Sequence, residues 1–514
     1  MESVDLVIVG AGWHGLSALK TYRQVHPTAR IICLDSASSV GGVWATQRLY
    51  PGLKSNNMLG TYEFSDFPMD ASFGVKPGEH IPGEVIHEYL ARFVERVEAV
   101  DGNGNGGWVV TTAPAPSTTF TTSTKCTEYT LLTPSRKLTI LGGTKSAWDA
   151  VHAACSASCT VTWIIRRRGH GPAWMAPPHV TPFKAWLEKL VTTRLLTWFS
   201  PCIWGEADGF GVIRRFLHGT WLGRKVVDGF WGVLERDVVA LNGYEEDEEV
   251  GKLRPWGVLG MVRSGRVRVI VDDIRVESEG IVCATGWAAT PRVQFRPAGI
   301  ERALGFPWAE DFLSQGTVRR ADAEILRRFP KLREARAVVE KRRLAGYVPL
   351  ASDAAACARH PYRLARFMVP AGFVGDRSVV VLGNAMTINT ALVAQTQALW
   401  AAAYLGGDQG VVRRVVERCP LDLVEEVRGK SNGDGDGHVD ALWEMALHTQ
   451  FGVHRCPGGF GKRNPDFVFD ALPYVDLLLR DLGLDVKRKT GWCWMKSYGM
   501  EDYRGLVEEW LGRE

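Results

Sequence analysis

The stretch Val4-Asp5-Leu6-Val7-Ile8-Val9-Gly10-Ala11-Gly12-Trp13-His14-Gly15-Leu16, followed by Ile31-Ile32-Cys33-Leu34-Asp35, decides the fold class. Val4 to Val9 is a short apolar run with the look of a strand, Leu16 to Val25 has helical periodicity, and Ile31 to Leu34 is a second strand closed by Asp35. A glycine turn between strand and helix points backbone N–H groups outward from the positive end of the helix dipole, which suits a diphosphate. Gly10 allows the tight turn, Gly12 the close approach of phosphates, and Gly15 the packing of helix on strand. Asp35 stands 20 residues beyond Gly15, where an acid accepts hydrogen bonds from adenosine ribose hydroxyls. Strand, turn, helix, strand and acid in that order predict a Rossmann-like dinucleotide site.

A second β-α-β unit starts at Lys137. Leu138 to Leu141 is its strand, Gly142 to Ala147 its turn, Trp148 to Ala157 its helix and Val161 to Ile165 the next strand. Thr144 replaces the middle glycine, while Gly142 and Ala147 keep the outer positions. Arg166-Arg167-Arg168 follow where an acid would stand, and cations there suit the 2′-phosphate of NADPH; a solvated basic loop is the plainer alternative. Strand signals return at Val267 to Val271 and Ile281 to Ala284. Ser378 to Leu405 reads as a buried strand followed by a helix with one apolar face.

Between these units, seven of the 19 Trp fall from Trp174 to Trp256 in a mostly helical pattern, and residues 406–514 are mostly helical too. Asn432 to His438 alternates Gly with Asn and Asp like a calcium loop, but the twelfth-position Glu falls one place late, at Glu444, so the segment reads as a linker. The architecture expected is α/β: two nested Rossmann-like domains with a helical Trp-rich insertion and a C-terminal helical extension. The boundaries are 1–135 and 284–405 for the first domain, 136–283 for the second, and 406–514 for the extension.

Composition excludes several classes. At 514 residues, 46% hydrophobic and 23% charged, the chain has ample core for two to four domains and is not a disordered one. A net charge of +4 with mixed signs gives no footprint for nucleic acid. The ten Cys are scattered without disulfide or zinc spacing; Cys155 and Cys159, one helical turn apart, read as core thiols. Met-Glu-Ser leads straight into a strand with no secretory signal, so the expectation is an intracellular, cytoplasmic protein with reduced thiols. Polar residues interrupt every apolar stretch, which argues against a transmembrane segment. Ala185 to Trp204 reads as packing inside the protein, with peripheral contact at a membrane surface as the alternative.

Further motifs connect these units. Gly41-Gly42-Val43-Trp44, Tyr50-Pro51-Gly52-Leu53, Ser55-Asn56 and Tyr62-Glu63-Phe64-Ser65-Asp66-Phe67-Pro68 follow the first turn in order. Gly142 to Asp149, Trp163 to Arg166, Gly171 to Met175, Ala284 to Trp287, Gln397 to Trp400 and Pro473 to Leu478 continue the series. Together they resemble the flavin-containing monooxygenases, above all the fungal members of secondary metabolism, across most of the chain. The resemblance implies FAD on the first unit and NADPH on the second. It also implies O₂ and a small organic molecule as substrates, joined through a flavin hydroperoxide with the protein orienting the cofactor and excluding water. By the same resemblance Gly10, Gly12, Gly15, Asp35, Gly42, Val43, Trp44 and Ser55 hold FAD, and Gly142, Thr144, Ala147, Arg166 and Arg167 hold NADPH. Asn56 matches the family Asn that faces the reacting oxygen, and a side-chain amide can donate to a developing anion without acting as an acid. A turn residue beside Asn57 is its plainer reading.

The chain also departs from the family. It has no Phe-x-Gly-x-x-x-His fingerprint, and Trp108 to Gly142 is too short to hold both the family's Ala-Thr-Gly strand end and the linker to that fingerprint. A second shortening falls near Trp256 to Val262. These losses leave two alternatives to a monooxygenase: a flavoprotein oxidoreductase without oxygen transfer, and a flavin-binding protein without turnover.

Overall fold

The Val4–Asp35 stretch folds in the expected order. In the computed structural model Leu6–Val9 is strand β1, Trp13–Val25 helix α1 and Ile31–Leu34 strand β2, with β1 and β2 parallel and Leu6 opposite Ile31. The structure describes residues 4–99, 132–143, 145–165, 177–180, 184–242, 267–270, 278–284, 295, 303–307, 311, 313–334, 360–374, 377–416, 436–455 and 465–513. Lys54–Met58 (β3) and His80–Pro82 (β4) pair antiparallel, and Gly83–Ala99 forms α2.

The second unit is Lys137–Leu141 (β5), Lys145–Ser156 (α3), Thr160–Ile164 (β6), Val267–Ile270 and Gly280–Cys283. Its strands form an all-parallel sheet. β5 lies between Gly280–Cys283 and β6, and Val267–Ile270 lies outside β6. This is the crossover arrangement a dinucleotide fold requires. Its core of Ile140, Val151, Cys155, Val161 and Trp163 shares no residue with the large core around α1. Cys155 and Cys159 are buried and not joined in a disulfide, as their spacing suggests.

Two expectations need correction. Thr390–Gly406 is a helix, but Ala391 to Tyr404 are buried on every side rather than along one apolar face. It runs through the middle of the large core, against α1 on one side and Ala471–Asp481 on another. Its polar groups are met internally. Gln395 Nε2 donates to Ser65 Oγ (2.7 Å) and to the Tyr503 carbonyl (3.1 Å), and Gln397 Nε2 to Tyr474 Oη (2.9 Å). The strand expected just before it does not form a ladder. Val381 N donates to Met368 O (2.8 Å), and alternate residues pack on two different clusters, Val379 and Val381 on one, Val380 and Leu382 on the other. Burial on two faces produces an apolar run without a paired neighbour. In the Asn432–His438 segment, read as a linker, Asp436 to His438 begin a helix that reaches Arg455; the residues before them lie outside the described set.

Ala185 to Trp204 packs inside the protein. Of the charges that interrupt it, Lys189 is exposed while Glu188 and Arg194 are buried: Arg194 forms a two-pronged ion pair with Asp476, and Arg194 Nη2 also donates to Val486 O (2.8 Å). This joins the Trp-rich region to the C-terminal extension. Removing one partner leaves an uncompensated buried charge, so Asp476→Ala is expected to lower unfolding free energy by about 3–5 kcal/mol in a urea titration. A loss under about 1 kcal/mol would mean that Arg194 finds water or another acceptor.

Candidate functional site

Gly10 has φ +110°, a conformation L side chains rarely adopt, and its N–H donates to Leu34 O (2.6 Å). A Cβ on Gly15 would lie 1.8 Å from the Gly10 carbonyl oxygen, so Gly15 lets the helix press on the strand as its spacing suggests. Gly12 caps α1 with no side-chain hydrogen bond, and no acid stands in the first turn. Neither a side-chain cap nor a first-turn acid therefore competes with an anion for the first amides of α1. Gly12 and Gly42 face each other so closely that a Cβ on Gly42 would lie 2.9 Å from the Gly12 Cα. Asp35 anchors this turn, accepting from Ala11 N and Ala37 N, both at 2.7 Å. Each oxygen keeps a further lone pair for a ribose hydroxyl.

Three features here carry no sequence signal. The Arg48 guanidinium donates to the Gly42 carbonyl, which places a cation beside the two glycines. The Nε2 of His14, in the first turn of α1 with its ring against Gly383, is buried without a partner, and burial pulls its pKa down to about 4, so the ring is neutral near pH 7. Glu188 Oε2 accepts from Met58 N (3.1 Å), Thr61 Oγ1 (2.8 Å) and Trp186 Nε1 (3.2 Å), clamping the end of β3; burial raises its carboxyl pKa.

Along the flavin side expected from the resemblance, Val43 is 52% exposed and Trp44 is partly buried, its Nε1 donating to Tyr62 Oη (3.2 Å). On β3, Asn56 is exposed, whereas Ser55 and Asn57 on the opposite face are buried. Ser55 Oγ bonds to Asn57 O and accepts from Ile81 N (3.2 Å), so its hydroxyl serves the protein interior. Asn57 Nδ2 donates to Ile388 O (2.7 Å), tying β3 to the start of the central helix.

In the second unit, Gly142 has φ +141°, and a Cβ there would lie 2.2 Å from the Ala284 carbonyl oxygen. The closely packed end of the neighbouring strand is what demands glycine. Ala147 is fully buried beneath the turn. Thr144, Arg166 and Arg167 lie outside the described residues. Tyr50 Oη donates to Asp149 Oδ2 (2.7 Å), and Lys145 Nζ pairs with the same oxygen (2.7 Å). This hydrogen bond reaches from the first unit to the second.

An uncapped helix start, two facing glycines and a neighbouring guanidinium fit the diphosphate half of a dinucleotide. Among the described residues no cluster of metal-ligating side chains occurs, and no helix is long and apolar enough to cross a membrane.

Comparison with known proteins adds the chemistry. No family model matches the chain. The FAD-dependent monooxygenase rstn6 of Aspergillus nomiae is 28% identical over 99% of this chain and 98% of its own length. The FAD-dependent monooxygenase resA of Aspergillus sclerotiorum is 26% identical, over the same shares. The chain is similar from end to end to fungal FAD-dependent monooxygenases. DEP4 of Alternaria brassicicola, of the same description, is 26% identical over 99% of this chain and 95% of its own. The alignment with rstn6 runs over 609 positions, 95 more than the 514 residues here, so at least that many of its positions have no counterpart in this chain. Among solved structures, an open form of cyclohexanone monooxygenase covers 88% of this chain and 97% of its own at 14% identity, with a TM-score of 0.40. A steroid monooxygenase bound to NADP covers 56% and 72% at 16% identity, with a TM-score of 0.34.

Proposed function

We propose that the protein is a FAD-dependent, NADPH-driven monooxygenase acting on a small organic molecule in a biosynthetic pathway. The observation that carries this is the Gly12–Gly42 cradle under the uncapped start of α1, in a chain whose end-to-end relatives are FAD-dependent monooxygenases. Bound FAD supplies the redox chemistry and the activation of O₂. In this reading the amides of the first turn bind the diphosphate, Asp35 takes the ribose, and Arg48 adds positive charge beside it. Val43 and Trp44 flank the flavin. Asn56, on the exposed face of β3, donates its amide to the oxygen being transferred, and Glu188 holds that strand in place from behind. The second unit, inserted into the first, binds NADPH at the Gly142–Ala147 turn.

The test of cofactor identity is the visible spectrum of the purified protein, where a band near about 450 nm reports bound flavin. Nucleotide preference rests on Arg166, with Arg167 or Arg168 in support. Losing a charged contact to phosphate costs about 1.5–3 kcal/mol, so alanine at all three positions is expected to lower the NADPH/NADH ratio of kcat/KM at least about tenfold. An unchanged ratio would make the three arginines plain surface charge.

A further inference from the structure

We infer that Tyr50 is a positioning residue that holds the second unit in register with the first through its hydrogen bond to Asp149; this rests on the reading of the two units as FAD and NADPH sites. The two hydrophobic cores share no residue, and the strands of the second unit bond only to one another in its sheet. The units thus have separate buried cores and separate sheets, and a polar contact between them can bear on the angle at which they meet. Tyr50 and Asp149 sit where such a contact has most leverage. Tyr50 lies in the segment between the Gly42 cradle and β3, and Asp149 lies in the second turn of α3, just past the Gly142–Ala147 turn. One bond of 2.7 Å thus spans from beside one dinucleotide turn to beside the other.

The chemistry of the pair suits a permanent tie. A phenol donates to a carboxylate in a charge-assisted bond, stronger than one between neutral groups. Burial and the Asp149 charge both push the Tyr50 hydroxyl above its ordinary range, so it keeps its proton at working pH. Lys145 neutralises Asp149 from four residues away on the same helix.

The test uses the full-length, flavin-loaded protein and compares Tyr50→Phe, Asp149→Ala and Asp149→Asn with the parent chain. Tyr50→Phe removes one hydroxyl and keeps the ring. Flavin content is expected to stay at the parental level. The limiting rate of anaerobic flavin reduction is expected to fall about tenfold or more, as misplacement of hydride donor and acceptor predicts, with little change in the NADPH concentration that half-saturates the rate. The charge-transfer absorption formed when NADP⁺ stacks on the reduced flavin is expected to weaken in parallel, which a loss of stability alone would not produce. Asp149→Asn still accepts from Tyr50 and is expected to stay within about threefold of the parent, whereas Asp149→Ala falls as far as Tyr50→Phe, and the pair Tyr50→Phe/Asp149→Ala no further than either. Parental reduction rate and charge-transfer intensity in Tyr50→Phe would overturn the inference, as would multiplying effects in the double variant. Absence of flavin from the parent chain would instead overturn the cofactor reading on which the inference rests.

Discussion

Gly12→Val is expected to purify folded and colourless. Gly12 has φ −88°, which any L residue adopts, so valine adds no backbone strain there. A Cβ at this position would lie 3.5 Å from the Gly42 Cα, an ordinary contact, and the two further methyls then project into the space between the glycine backbones. The methyls therefore press on the Gly42 backbone and push apart the two glycines that flank the helix start, where the reading places the diphosphate. Overpacking of this kind costs about 1–3 kcal/mol, and here the neighbour that has to shift is the Gly42 backbone, part of the proposed cofactor cradle. Flavin content per protein is therefore expected to drop at least about tenfold, with the melting temperature of the apo protein lowered by about a few degrees at most. The neighbouring glycines are poorer probes. Gly10 needs its left-handed φ, and a Cβ on Gly15 would strike the Gly10 carbonyl, so substitutions there damage the fold before the cofactor site is tested. Full retention of yellow colour in Gly12→Val would remove FAD from the first turn.

The second large effect concerns the rate at which NADPH reduces the bound flavin. Hydride transfer needs reacting atoms about 3–3.5 Å apart, and a misplacement of about 1 Å costs roughly a hundredfold. This chain lacks the inter-domain fingerprint and is at least 95 positions shorter than the span of its alignment with rstn6. Its second turn carries Thr144 instead of glycine, and its second unit has a core of its own. Reduction is therefore expected to be about a hundredfold slower than in a relative that carries the missing segment, measured side by side by anaerobic stopped-flow. Equal rates would show that the shortened chain aligns its nucleotides as well as the longer one.

The two β-α-β units were legible because each is local: a strand, a glycine turn and a helix within some 30 residues, where periodicity and turn chemistry agree. The roles of Gly10 and Gly15 followed from spacing for the same reason. The central helix departs from its sequence pattern because tertiary packing overrides periodicity. With Ala391 to Tyr404 buried on all sides, Gln395 and Gln397 look like a polar face in sequence and are interior hydrogen-bonding groups in space. Val379 to Leu382 looked like a ladder strand because burial on two faces leaves the same apolar run. Long-range pairs left no trace at all. Arg194 and Asp476 are 282 residues apart, Tyr50 and Asp149 are 99 apart, and Glu188 reaches β3 across 130 residues. Nothing in the local pattern around either member names its partner.

The account turns on whether this chain holds FAD and passes electrons to it from NADPH. The direct measurement is the visible spectrum of the purified protein under anaerobic conditions, before and after NADPH is added. The prediction is a flavin band near about 450 nm that bleaches completely with NADPH, and far more slowly with the same concentration of NADH. A colourless protein that takes up no added FAD, or a flavin band that NADPH leaves untouched, would contradict it.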